Sequence, residues 1–207
     1  MSEGVPEVLR AADGSLVAYA DLGRGVQSDL RQLITLARTV GLDAIWVTGH
    51  LVDASLGFTH AGGLARLEAP EPLKPIELSS PPPAQIPELQ TLCFEGIWGH
   101  IEPTRIDSSR TFVGLHEDRD WVGICEIDTV RRCILDPGVR RGLRTPDRYA
   151  RLVRGAANCF GPGPVALETR GDSEAILAAY KELGYALVEY IPGWQLNLKP
   201  RRGSLPI

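Results

Sequence analysis

The apolar positions of this chain switch between two spacings, and the switches mark out its elements. Val165, Ala166 and Leu167 form a short apolar run, read as a buried strand, with the polar loop Arg170, Gly171 and Asp172 after it. Ile176, Leu177, Tyr180 and Leu183 then recur at helical spacing. Gly184 is placed to end that helix, because a glycine takes the left-handed conformation without a side-chain clash, and Tyr185 opens a new strand. The spacing of Tyr149, Leu152, Val153, Ala156, Ala157 and Phe160 predicts another helix upstream. Tyr185 to Ile191 and Trp194 to Leu198 read as a hairpin around Pro192-Gly193. Earlier, Ile76 to Leu78 reads as a short strand, and Ile86, Leu89, Cys93 and Ile97 give a helix its apolar face. Thr111 to His116 and Trp121 to Asp128 are strands joined by the polar turn Glu117 to Asp120, and Arg131 to Asp136 follows as another strand.

A proline-rich stretch separates this series from an earlier one. Residues 69 to 87 hold seven of the sixteen prolines, including Pro81-Pro82-Pro83, which interrupts any helix or central strand. The expected division is residues 1–73, residues 74–199 and a tail at 200–207. In the first segment Leu16 to Ala20 reads as a strand, and Ser28 caps a helix with Leu30, Leu33, Ile34, Ala37 and Val40 on one face. Gly41 ends it, and Leu42 to Val47 is a second strand. A short helix to Leu56, then Gly57-Phe58, a Gly62-Gly63 turn and the strand Leu64 to Glu68 complete the segment. Both segments show a helix, strand, helix, Gly-aromatic, strand progression, which reads as an internal duplication with a partial first copy. The fold class expected is α/β with a mixed sheet.

Charge and cysteine usage narrow the function classes. The 207 residues carry a formal charge of −4, with 43% hydrophobic and 23% charged residues. A sequence pI near 5.6 does not give the basic footprint of a nucleic-acid binder, and an acidic surface suits a cationic or amine ligand. Met1 to Gly4 lacks the basic and apolar regions of a signal peptide. No apolar run approaches the ~20 residues that cross a bilayer, so a cytoplasmic protein without membrane partners is expected. Cys93, Cys125, Cys133 and Cys159 show no Cys-x-x-Cys pair and read as small buried hydrophobes. His50, His60, His100 and His116 show no paired ligand spacing, so no metal is expected.

The order strand, loop, helix, Tyr180, Leu183-Gly184-Tyr185, strand resembles the second half of the acetyl-CoA-dependent N-acetyltransferases related to the histone acetyltransferases (the GNAT superfamily). The resemblance covers residue 74 to about 199, with the first segment matching only the latter part of the fold. It implies an acyl-CoA N-acyltransferase fold, here as a degenerate tandem. It also implies acetyl-CoA as co-substrate and transfer of an acetyl group to a primary amine on a small molecule or peptide.

That family holds the CoA pyrophosphate in a turn entering a helix, where backbone N–H groups converge. The corresponding stretch here is Leu135-Asp136-Pro137-Gly138-Val139-Arg140-Arg141-Gly142-Leu143-Arg144, which fits the family pattern with one residue deleted between Arg140 and Gly142. Arg144 stands in place of the final small residue, and Pro146 at the helix start has no N–H to offer. The cofactor-binding set implied is Ile134, Leu135, Arg140, Arg141, Gly142, Leu143, Arg144 and Ser173; a solvated basic loop and a helix cap are the plainer readings of the loop and of Ser173. Tyr180 matches the family's catalytic acid, and reads otherwise as a core tyrosine. Glu126, the acid inside the apolar strand Trp121 to Ile127, is the candidate proton acceptor from the amine, or else an edge glutamate; strand alternation puts it on one face with Val122 and Ile124. Asp128, His116 and a Cys125 nucleophile are weaker candidates, and Gly23-Arg24-Gly25 resembles a second phosphate turn or a tight connection. The rival to an enzyme is an inactive CoA-binding or protein-interaction module of the same fold; a nucleotide-dependent oxidoreductase lacks the full glycine motif. The first segment is expected to dock on the second, within the chain or across a homodimer.

Overall fold

The structure, a computed structural model, describes residues 6–11, 14–22, 30–50, 52–71, 76–99 and 111–199. Ser28, His100 and the Gly23-Arg24-Gly25 turn lie outside them. At the chain's start, β1 (Glu7–Arg10) and β2 (Leu16–Asp21) pair antiparallel. The helix α1 (Leu30–Thr39) then returns the chain to β3 (Ala44–Thr48), parallel to β2. Leu30, Leu33, Ile34 and Ala37 are buried on one face of α1 as their spacing predicts. Val40 is not: it is 60% exposed, because α1 stops at Thr39 and Gly41, at φ +78°, turns the chain away. Every residue of β3 is buried. Its alternate side chains feed two cores, Ile45 and Val47 under α1, and Ala44 and Trp46 against Trp98 from the later part of the chain.

A 3₁₀ turn (Ala54–Leu56) leads to β4 (Thr59–Ala69), which runs straight through Gly62 and Gly63 instead of turning there. The last strand, β9 (Ala186–Asn197), likewise runs through Pro192-Gly193, so the expected hairpin is one long strand. The two strands pair antiparallel with Gly62 opposite Gly193 and Gly63 opposite Pro192. These glycines serve close approach rather than a turn. A Cβ on Gly63 would stand 2.6 Å from the Ile191 carbonyl oxygen, and one on Gly193 would stand 2.5 Å from the Trp98 ring.

Between these strands lie the remaining elements. Ile76 to Leu78 forms no strand; the contact made there is a single bridge from Ser79 to Gly114. The helix α2 (Ile86–Phe94) buries Ile86, Leu89 and Cys93, and Ile97 lies beyond its end. β5 (Thr111–Glu117) and β6 (Asp120–Asp128) form a hairpin whose turn residues Asp118 and Arg119 sit at φ +46° and +77°. β7 (Cys133–Val139) begins two residues later than its sequence suggested, because Asp128 accepts the N–H groups of Val130 and Arg131 and holds them in a turn. α3 (Pro146–Ala157), β8 (Val165–Arg170) and α4 (Glu174–Glu182) follow as predicted, and Gly184 after α4 is at φ +88°. Cys93, Cys125 and Cys133 are buried; Cys159 is exposed, lying in the 3₁₀ turn Asn158–Phe160 that follows α3.

Among the described residues the strands form one sheet in the order β1-β2-β3-β9-β4-β8-β7-β6-β5. β4, from the first part of the chain, lies between β8 and β9, and the end of β9 lies between β3 and β4. Each part of the chain therefore completes the sheet of the other, and the sheet is continuous across residue 73. The main core, with Leu67, Ile134, Leu152, Leu167 and Tyr180, lies beneath α3 and α4.

Candidate active site

Two neighbouring parallel strands inside this sheet come apart. β7 and β8 pair only at Cys133 with Ala166, Ile134 with Leu167 and Leu135 with Glu168. Past that point β7 stays with β6, through Gly138 and Val139, while β8 stays with β4, through Thr169 and Arg170. The cause is local. Asp136 sits at φ +46° and Pro137 has no N–H, so the ladder is interrupted where the register between β6 and β7 shifts. The ends that part are bridged by an ion pair, Arg170 Nε to Asp136 Oδ1 at 3.2 Å.

Both helices that follow these strands start at the opening, and a cleft of about 290 Å³ lies there, lined among others by Trp98, Arg144, Thr145, Tyr149, Asp172 and Ser173. The entry to α3 is built as the capping rules require. The Leu143 N–H donates to the Arg140 carbonyl at 2.9 Å, Gly142 takes φ +85°, and the Thr145 hydroxyl accepts the Arg148 N–H. Ser173 caps α4 in the same way, accepting the Ile176 N–H at 3.4 Å. Two helix N-termini thus face one cleft, an arrangement that favours an anionic or carbonyl-rich ligand.

The three loop arginines have different occupations. The Arg144 guanidinium donates to the carbonyls of Val139 and Cys93, each at 3.0 Å, and to that of Glu95 at 2.6 Å, so it ties the end of α2 to the end of β7. Arg141 is exposed and pairs with Glu95 at 3.0 Å, a surface contact of small energetic weight. Arg140 is half-buried, and its N–H donates to the Val122 carbonyl. Ile134 is fully buried in the main core, Leu135 is the last residue before the strands part, and Leu143 packs on the core edge.

Tyr180 is fully buried, and burial followed by the neighbouring Asp172 carboxylate holds its pKa well above the usual tyrosine range. Among the described residues its hydroxyl meets no partner at good hydrogen-bonding geometry, but it lies close enough to Asp172 to favour that carboxylate; Asp172 and the neighbouring Tyr149 line the cleft. Glu126 is half-buried, registered between Phe112 and Leu135, and is not among the cleft-lining residues. The even spacing from Val122 to Glu126 does not hold one face. A bulge opposite Leu115 and His116 puts Val122 in the main core and Ile124 in the cluster under α2. Asp128 is occupied by its turn and by Arg131, His116 stacks edgewise on Trp121, and burial raises the Cys125 thiol well above its ordinary pKa. Among the described residues no group of His, Cys, Asp and Glu could hold a metal ion, and no helix is long and apolar enough to cross a membrane.

Two cleft residues carry no motif. Tyr149 belongs to the apolar stripe of α3, yet its buried hydroxyl is unpartnered among the described residues and the residue lines the cleft. Asp172 accepts a hydrogen bond from the Thr169 hydroxyl. Burial pushes its carboxyl up to about 7, with the Asp136 charge adding to the rise; Thr169, Tyr180 and Arg144 oppose it. The signal available for Asp172 was its place in the polar loop closing a strand end.

No protein-family model matches the sequence, and no curated protein matches it. Solved structures do. A functionally unknown conserved protein from Staphylococcus epidermidis superposes with TM-score 0.56 at 12% identity, covering 95% of this chain and 92% of that one. A GCN5-related N-acetyltransferase from Sphaerobacter thermophilus gives 0.52 at 14% identity, covering 94% and 76%. One from Kribbella flavida gives 0.51 at 11% identity, covering 96% and 91%. With a mixed sheet in which two neighbouring parallel strands part above the starts of two helices, and with these likenesses, the chain has the fold of the GCN5-related N-acetyltransferases.

Proposed function

We propose that the protein is an acyltransferase that moves an acetyl group from acetyl-CoA to a primary amine of a small molecule or peptide. The observation that carries this reading is the parting of β7 and β8 over a cleft faced by the N-termini of α3 and α4. A thioester can reach the cleft at the starts of α3 and α4, beside the parted strands, and phosphates can meet the turn from Arg140 to Arg144. Tyr149 lines the same cleft, and among the described residues its buried hydroxyl meets no partner at good hydrogen-bonding geometry. Arg140, Arg141, Gly142 and Ser173 are the residues that would hold the co-substrate. Acetyl-CoA would supply the activated acyl group, and the residues of the cleft would bind it and handle the proton.

A second reading, an inactive CoA-binding or protein-interaction module, is favoured by one observation. The Arg144 guanidinium is taken up by three carbonyls and is not free to meet a phosphate. Calorimetry separates the cases. Acetyl-CoA should bind, with affinity falling at high salt as the loop charges are screened. Gly142→Asp should weaken it by about tenfold or more, because Gly142 is at φ +85° and the new carboxylate repels phosphate. Unchanged affinity in Gly142→Asp removes the loop from the site, and binding without thiol release in the presence of amines favours the inactive module.

A further inference from the structure

We propose that Asp172 is the proton carrier of the cleft: its carboxylate takes the proton of the acceptor ammonium, or of an attacking water, and hands it to the departing thiolate. This rests on the acyl-transfer reading above. Asp172 lines the cleft, whereas Glu126 and Tyr180 are not among the residues that do. It stands at the end of β8 immediately before the Ser173 cap of α4, where the chain leaves the opening between the parted strands. Thr169 fixes one carboxylate oxygen by donating its hydroxyl hydrogen.

The groups around Asp172 suit both directions of transfer. On β7, Asp136 opposes its ionisation, though Asp136 is itself paired with Arg170 of β8. Arg144 from the α3 entry favours ionisation, with most of its donors committed to carbonyls. The tyrosines Tyr149 of α3 and Tyr180 of α4 lie close by and stay neutral, each held above the ordinary tyrosine range chiefly by burial. The start of α4, with its free N–H groups, favours the carboxylate. Burial and Asp136 outweigh that, and the carboxyl comes to rest at about 7. A group that titrates there is ionised often enough to accept a proton and acidic enough to give it up.

The step balances. The ammonium loses a proton to the Asp172 carboxylate, the free amine forms the new C–N bond as the C–S bond breaks, the thiolate receives that proton from Asp172, and the nitrogen sheds its second proton to water as the amide forms. With water in place of the amine the same carboxylate serves, and the products are thiol and acetic acid, which gives its remaining proton to solvent. Tyr180, beside Asp172, is then a positioning residue whose hydroxyl lowers the Asp172 pKa.

The experiment uses the full chain with acetyl-CoA as the probe: calorimetry for binding, and thiol release to water, above the uncatalysed rate, followed across neutral pH. Wild-type rate should rise through an inflection near pH 7. Asp172→Asn should bind acetyl-CoA as wild type does, lose the inflection and lose about 10² of the rate, and Asp172→Glu should restore the inflection. Tyr180→Phe should move the inflection to higher pH. An Asn variant no slower than wild type overturns the role of Asp172 and leaves the ligand of the cleft standing; no heat with acetyl-CoA overturns both. A fall of about 10² in Tyr180→Phe at every pH, with the inflection unmoved, gives the acid role to Tyr180 and overturns the single-carrier step.

Discussion

Asp172 holds its proton more tightly in the folded chain than in the unfolded one, and stability must register this. Its folded pKa, about 7, lies above the ordinary value of 3.8, so between those limits the native state binds more protons than the unfolded state. Stability contributed by this group is full below pH 4 and is lost as pH rises through 7. Asp172→Asn removes the titration while keeping an acceptor for Thr169. Its melting temperature relative to wild type should therefore increase from pH 4 to pH 8, corresponding at the upper end to about 4 kcal/mol. A difference that stays constant across that range would show that the carboxyl is ionised in the fold. The sequence discloses only that Asp172 sits in a polar loop after a strand, since what makes it unusual is the packing of distant segments around it: Asp136 approaches from β7, and Arg144 and Tyr149 from the entry and first turns of α3. Tyr180 was legible from the opposite direction, because its spacing within α4 and the Gly184 stop are local facts, though its burial beside Asp172 is not.

Helices were easier to read than strands for a comparable reason. The stripes of α1, α3 and α4 are encoded within single segments, and the buried positions match them save at Val40, past the end of α1, and at Phe160 and Leu177, which are partly buried. The paired glycines of β4 and β9 look like turns in isolation, because the feature that requires them lies on other strands and on Trp98. The parting of β7 from β8 was likewise invisible: Pro137 is plain in the sequence, but the left-handed Asp136 before it is not. Gly193→Ala tests the close-approach account. Trp98 is buried, its indole N–H donates to the Trp194 carbonyl, and its ring would stand against the added methyl. The variant should lose about 1–3 kcal/mol in denaturant melts, as for overpacking elsewhere, whereas a flexible turn at this position would accept alanine at little cost.

Across the whole molecule the shared strands predict that the later part of the chain cannot stand alone. A fragment of residues 74–207 lacks β4, so β8 and β9 lose the strand that joins them, and Leu67 leaves the main core. It should be poorly soluble or should melt well below the full chain; a fragment as stable as the full chain, and as able to bind acetyl-CoA, would make the first seventy or so residues a separable appendage. We read the first part as a partial second copy of the fold, on the ground that β2, α1, β3, a 3₁₀ turn and β4 follow the same order as β7, α3, β8, α4 and β9. The exchange of strands also sets a schedule for synthesis. Ala44 to Thr48 pair with Gly193 to Asn197, so β3 receives its second neighbour only after Gly193 to Asn197 have left the ribosome. Until then the first segment travels with an open, apolar strand edge, and the emerging chain is a natural client for chaperones that shield such edges.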